Sequence, residues 1–314
     1  MILATVLVLG AMLTAFLAPR LLSGLERTPA SPAGLLYVWW SLLAGVGSSV
    51  VVALGVVLVP GHGEELAPLV RLLASCWTAL TSSRMHADAV VGGLIGTMIA
   101  VGLLRVIRRV VRSRRAVREK AETTMWMLEP AGYWEHGVLW LEHKQPLAFS
   151  IGGRTKAIVA STGLREQLSP AETDAVLAHE RAHLSGRHHL QVLLADTLAA
   201  AFPVLPLFRQ APAAVRRLIE LAADDKAARH VGAPVVRQAL VRVASGGRYG
   251  LPPAALGAAT SAIELRLARL SHVGRTAAWS ARLGEKVCFV AVGALAPALT
   301  GAGSLAVLAV VSCM

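Results

Sequence analysis

Ser169-Pro170-Ala171-Glu172-Thr173-Asp174-Ala175-Val176-Leu177-Ala178-His179-Glu180-Arg181-Ala182-His183-Leu184-Ser185-Gly186 is the stretch on which the reading of this chain turns. It opens with a capping box. A serine followed three residues later by a glutamate, with proline at the first helical position, satisfies the free N–H groups of a helix start. The pattern predicts a helix that runs to the neighbourhood of Gly186. On such a helix His179 and His183 stand four apart and share a face, so both imidazoles can bind one metal ion. Glu180 beside them reaches a water that the ion activates, the arrangement of an H-E-x-x-H zinc hydrolase. The bland alternative is a satisfied pair of histidines, and it requires nothing from the rest of the chain. The metal reading does, because a catalytic zinc uses three protein ligands and keeps one position open.

A second helix signal runs from about 213 to 230, with Arg229 and His230 in its last turn and Gly232 as its stop. It carries Glu220-Leu221-Ala222-Ala223-Asp224. Glu220 is the candidate third ligand. Asp224 lies four residues on, on the same face, where a carboxylate can orient a ligating histidine. Asp225 reads as an ordinary surface residue, and His188 and His189, beyond Gly186, as polar residues at the helix exit. Upstream, the short apolar runs 137–141, 147–151 and 156–160 are separated by Pro146 and by Gly152-Gly153, which predicts a small antiparallel sheet.

Around this polar region the chain is unusually apolar. Of its 314 residues 55% are hydrophobic and 16% charged, with a mean hydropathy of +0.58, beyond the range of an ordinary soluble domain. Uncharged stretches at 1–19, 35–60, 89–104 and 287–314 read as four membrane spans. The first lacks a basic leader and is followed by Pro19 and Arg20, so it reads as a retained anchor. Arg105, Arg108, Arg109, Arg112, Arg114, Arg115, Arg118 and Lys120 follow the third span and set that side as cytoplasmic. The segment 61–88 then falls outside, with an apolar interfacial helix at 66–83. The net charge of +12 is explained by this basic run against anionic lipid, and no nucleic-acid binding is expected. Cys76, Cys288 and Cys313 form no C-x-x-C pattern and indicate neither a disulfide framework nor a thiolate site.

The resulting organisation is a membrane region 1–104, a basic juxtamembrane stretch 105–121, a catalytic domain 122–286 and a last span 287–314. The fold class expected is mainly α: a polytopic helical membrane protein with a small α+β zinc protease domain inserted between the third and last spans. Segment 190–208 is apolar enough to be taken for a further span, yet it contains Asp196, Pro203 and Pro206. A single crossing there would put Glu220 across the membrane from His179 and His183. A re-entrant helix pair, or a helix packed in the domain core, is therefore favoured.

Several runs together carry a resemblance: Ala148-Phe149-Ser150-Ile151-Gly152-Gly153, Ile158-Val159-Ala160-Ser161-Thr162-Gly163-Leu164, Leu168 to His183, Phe202-Pro203 and Glu220 to Asp224. In these the chain resembles the bacterial membrane gluzincins of the BlaR/MecR antirepressor type and, more distantly, the HtpX-type membrane proteases. The resemblance implies zinc on His179, His183 and Glu220, Glu180 as general base and acid, and Asp224 supporting a ligand. It also points to Arg266 in Glu264-Leu265-Arg266-Leu267 as a stabiliser of the transition state. Two departures stand out. His188-His189 occupies the region where such families often carry an acidic residue, and no penicillin-binding sensor domain follows the last span. The function implied is a multi-pass protease of the bacterial inner membrane, facing the cytoplasm and cleaving a protein substrate such as a transcriptional repressor. A quality-control protease is the near alternative. A non-catalytic zinc-binding transducer would not need Glu180, and a small-molecule transporter would need more intramembrane ionisable groups than Asp196.

Overall fold

Helices α1 (Ile2–Leu25) and α2 (Pro32–Leu58) open the chain, and within them Val6–Leu25 and Pro32–Ala53 are long and apolar enough to cross a membrane. The computed structural model describes residues 2–26, 30–58, 85–153, 156–246 and 253–271. Most of the expected outer segment 61–88, its helix at 66–83 with Cys76, and the last span with Cys288 and Cys313 lie outside those residues. Helix α3 (Met85–Leu128) joins the stretch 89–104 to the basic stretch 105–121 without a break. A single 3-10 turn, Glu129–Ala131, then leads into the sheet.

The sheet comprises β1 (Gly132–Glu135), β2 (Val138–Leu141), β3 (Ala148–Ile151) and β4 (Ala157–Ser161), in the order β1-β2-β4-β3. It corrects the antiparallel expectation. β2 and β4 run parallel, Trp140 opposite Ala160, whereas β1–β2 and β3–β4 are antiparallel. β4 is buried along its whole length and takes a central position, which separates β3 from β2. β1 has no buried residue and so no apolar pattern to announce it. What pairs it is the turn: His136 and Gly137 both have positive φ, 50° and 77°, as a two-residue hairpin loop of the right twist requires. Among the described residues β3 is an edge strand, hydrogen-bonded on one side only to β4.

Helix α4 (Thr162–Gln167) precedes α5 (Pro170–Ser185), whose capping box forms as its sequence predicts. Glu172 accepts from the Ser169 N–H and hydroxyl, both at 2.8 Å, while the Ser169 hydroxyl accepts from the Glu172 N–H. Arg242 also reaches the buried Glu172 carboxylate, at 3.1 Å. The apolar stretch 190–208 is not one continuous helix. It makes helix α6 (His188–Ala201), a turn through Phe202 and Pro203, and the start of α7 (Pro206–Val231), which packs back against α6. Pro206 at the first helical position starts α7 earlier than position 213. Helices α8 (Ala233–Gly246) and α9 (Pro253–Leu270) complete the described chain.

Of the three cores that hold these elements, the smallest joins Met125 of α3 to Leu139, Ile151, Ala157 and Val159 of the sheet. Ala11, Ala15, Ala18 and Leu22 of α1 and Trp39, Leu42 and Val46 of α2 pack on Leu207, Ala211, Val215 and Leu218 of α7. The third core joins Trp140, Ile158 and Ala160 of the sheet to Ala175, Ala178, Ala227, Ala228 and Val236 of α5, α7 and α8. Alanines dominate the α5–α7 part of that core. Small side chains let two helix axes approach closely, and this closeness is what brings the two predicted ligand-bearing helices together.

Candidate metal centre

Helix α5 presents His179 and His183 on one face, and α7 lies against it with Glu220. The Nε2 atoms of the two histidines are 3.0 Å apart. Each lies 3.5 Å from a different oxygen of Glu220, Oε2 for His179 and Oε1 for His183. Among the described residues these are the three side chains grouped closely enough to hold one metal ion. Two nitrogens and a carboxylate are a donor set suited to zinc, and nitrogens bound at about 2.0–2.1 Å in a tetrahedron stand roughly 3.3 Å apart. A small movement reaches that geometry. Glu220 keeps 41% side-chain exposure, so the centre is open on one side, as a catalytic site must be.

The opposite nitrogens explain how the rings are aimed. Nδ1 of His179 lies 2.9 Å from Oδ1 of Asp224, an ion-pair contact that leaves Nε2 facing the centre. Asp224, 2% exposed, also accepts from Nε and Nη2 of Arg266 at 2.6 and 2.7 Å, and Nη1 of Arg266 lies 3.4 Å from Glu220. Arg266 thus reaches the centre from α9 and braces both carboxylates. With both imidazole lone pairs aimed at each other, the site calls for a cation or a proton between them. Burial disfavours charge on His179, but Asp224 and Glu220 outweigh it and raise its pKa to about 9. Burial and the neighbouring His179 instead drop His183 to about 4. Glu220 and Asp224 are held below the ordinary carboxylate range: burial opposes their charge, but His179 and Arg266 overcome it.

Glu180 sits beside this cluster with its pKa raised, chiefly by burial; His179 and the polar groups of Ser150 partly offset the shift. Ser150 is on the edge strand β3, so the sheet touches the base directly. The sequence offered no sign of that contact.

His188 and Asp225 correct the expectations made for them. His188 is not a polar residue at the helix exit. It is 7% exposed, with Nδ1 2.8 Å from Nδ1 of His183 and the two rings edge to face. Burial and the proximity of His183 lower its pKa to about 4. Asp225 is largely buried and pairs with Arg269 at 3.4 Å, and Arg269 also donates to the Ala30 carbonyl, at 3.1 Å. His189 packs on Gly152, where an added Cβ would strike its ring.

Residues 113–215 match peptidase family M48. The matched stretch covers the end of α3, the sheet, His179, Glu180 and His183, and it stops short of Glu220. Glu220 is therefore brought to the site by the geometry and lies outside the match. The match supports metallopeptidase activity. No solved structure matches the chain.

Proposed function

We propose that this chain is an integral membrane zinc metalloendopeptidase of the gluzincin type, acting on protein substrates at the cytoplasmic face. The observation that carries the reading is the convergence of His179 Nε2, His183 Nε2 and the Glu220 carboxylate beside a half-buried Glu180 whose pKa is raised. Zinc held by those three residues would lower the pKa of bound water to about 7 and polarise the scissile carbonyl. Glu180 takes a proton from the attacking water and returns it to the leaving nitrogen. Its raised pKa suits both steps. The open edge of β3, near Phe149, receives the substrate in extended form through backbone hydrogen bonds. Asp224 fixes the tautomer of His179, and Arg266 holds Asp224 and Glu220 in place, close enough to assist the developing negative charge.

The apolar helices α1 and α2, with 89–104 and 287–314, form the membrane region, and the basic stretch of α3 marks the cytoplasmic side. The partner class favoured by the resemblance to antirepressor proteases is a cytosolic transcriptional repressor, whose cleavage changes transcription. One observation favours a second reading, turnover of membrane proteins. Glu26, just past the end of α1, pairs with Arg217, three residues before Glu220, which supports a centre near the end of that apolar helix.

Glu180→Gln is the test. The variant should keep its bound zinc and lose about 10²–10⁴-fold of its peptidase activity on a casein-type substrate in detergent. Wild-type-like cleavage by this variant would refute the mechanism. Comparing membrane and cytosolic proteomes of cells carrying wild type or the Gln variant separates the two substrate classes.

A further inference from the structure

The two ligating histidines are supported by different groups. Nδ1 of His179 faces Asp224, a carboxylate, at 2.9 Å. His183 has no carboxylate at its Nδ1; the atom 2.8 Å away is Nδ1 of His188. For His183 to offer its Nε2 lone pair to an ion, its proton must sit on Nδ1, and a buried N–H requires an acceptor. We propose that His188 is the positioning residue for the second ligand: its Nδ1 accepts the His183 Nδ1–H, so His188 carries its own proton on Nε2. His188 is not itself a ligand, since the nitrogen left over lies against Gly186.

The backbone is shaped for this contact. On an unbroken helix a residue five positions on lies about 140° round the axis, so His183 and His188 would not meet. Helix α5 stops at Gly186, and Arg187 then adopts the left-handed conformation (φ 50°, ψ 39°), which L-residues rarely take and which turns the chain back. Gly186 has an ordinary helical conformation, φ −78° and ψ −6°, so no backbone demand calls for glycine there. What it supplies is space: a Cβ at 186 would fall on the imidazole of His188. The start of α6 is pinned as well. Gln191 donates to the Gly186 carbonyl at 2.9 Å and accepts from the Trp40 indole of α2 at 3.0 Å.

A neutral imidazole acceptor orients His183 without adding negative charge to the centre, in contrast to Asp224 at His179. Substitutions at 188 therefore divide by where they carry an acceptor. In His188→Asn the amide oxygen takes the place of Nδ1; in His188→Gln it falls near the position of Nε2; His188→Leu has none. The experiment is zinc affinity by chelator competition on the full chain in detergent, with the visible spectrum of the Co²⁺ form as a measure of ligand geometry. The Asn variant should stay within about threefold of wild type, while Gln and Leu lose about 10–100-fold and shift the Co²⁺ bands. Gly186→Ala should weaken binding in wild type but add little in the His188→Leu background, because both act through one ring. The proposal is overturned if the Leu variant binds zinc with wild-type affinity and spectrum, if Gln substitutes as well as Asn, or if the Gly186→Ala effect is additive. It rests on the metal-centre reading, and the outcomes separate the two. A wild-type chain that takes up no zinc removes both, whereas tight binding by wild type and the Leu variant alike removes only the role of His188.

Discussion

Asp224→Asn is the substitution whose consequences the structure specifies most closely. The wild-type carboxylate accepts from Arg266 Nε and Nη2 at 2.6 and 2.7 Å, faces His179 Nδ1 at 2.9 Å, and is 2% exposed. An amide of the same size must turn an NH2 toward at least one of them. If it faces Arg266, two donors oppose each other and a guanidinium with 20% exposure is left with Glu220 as its remaining anion, 3.4 Å away. Removing one partner of a buried ion pair costs about 3–5 kcal/mol, and the second carboxylate brings the expected loss of stability to the lower end, about 3 kcal/mol. If the NH2 takes the place of Oδ1, which faces both His179 Nδ1 and Arg266 Nη2, the ring in addition takes the wrong tautomer and Nε2 carries a proton where the metal would bind. The loss of a charge-assisted hydrogen bond, about 1.5–3 kcal/mol, corresponds to roughly 10–100-fold in metal affinity. Denaturant unfolding of the metal-free protein reads the first quantity and chelator competition the second. In Asp224→Asn/Arg266→Met, stability should recover, since the buried charge is gone, while metal affinity should not. Wild-type zinc affinity in Asp224→Asn, or parallel recovery of both quantities in the double variant, would refute this account of Asp224.

Two further predictions address the scaffold. The Ser169 hydrogen bonds to Glu172, with Arg242 adding to them against the effect of burial, hold its pKa below its ordinary value of 4.5. A carboxylate with a lowered folded-state pKa adds stability above its unfolded pKa and loses it as pH falls through the folded one. Melting temperature should therefore fall below about pH 4.5, and Glu172→Gln should be less stable than wild type at pH 7 with a flatter profile in that range; an unchanged acid limb would count against the cap. Ala227→Leu forces a larger side chain into the α5–α7 contact, where Ala227 is fully buried beside Ala175 and Ala178. It should cost about 1–3 kcal/mol in unfolding experiments and also reduce zinc binding, because it pushes Glu220 away from the histidines. Loss of stability with intact zinc affinity would show that the helix spacing does not set the site.

Much of the site was legible because it is local. His179 and His183 share a face through helical periodicity alone, as do Glu220 and Asp224, and the capping box and Pro170 fixed where the first of these helices begins. In the structure the apolar stretch 190–208 turns back at Phe202-Pro203, which keeps α5 and α7 in contact. The sheet was half legible. Its buried strands were found from their apolar runs, while β1, with no buried face, and the parallel pairing of β2 with β4 were not.

By itself the sequence determined the helix of His179 and His183 and that of Glu220, marked these three as candidate ligands and Glu180 as the candidate base, and gave the apolar character of α1 and α2, all of which follow from spacing and composition along a few turns of chain. Tertiary structure alone decided which groups stand behind them. Ser150 reaches Glu180 from an edge strand, Arg266 reaches Asp224 from α9, and His188 meets His183 only because the helix breaks at Gly186 and Arg187 takes a left-handed turn. Such contacts depend on where the chain bends and on which elements pack together, and helical periodicity encodes neither.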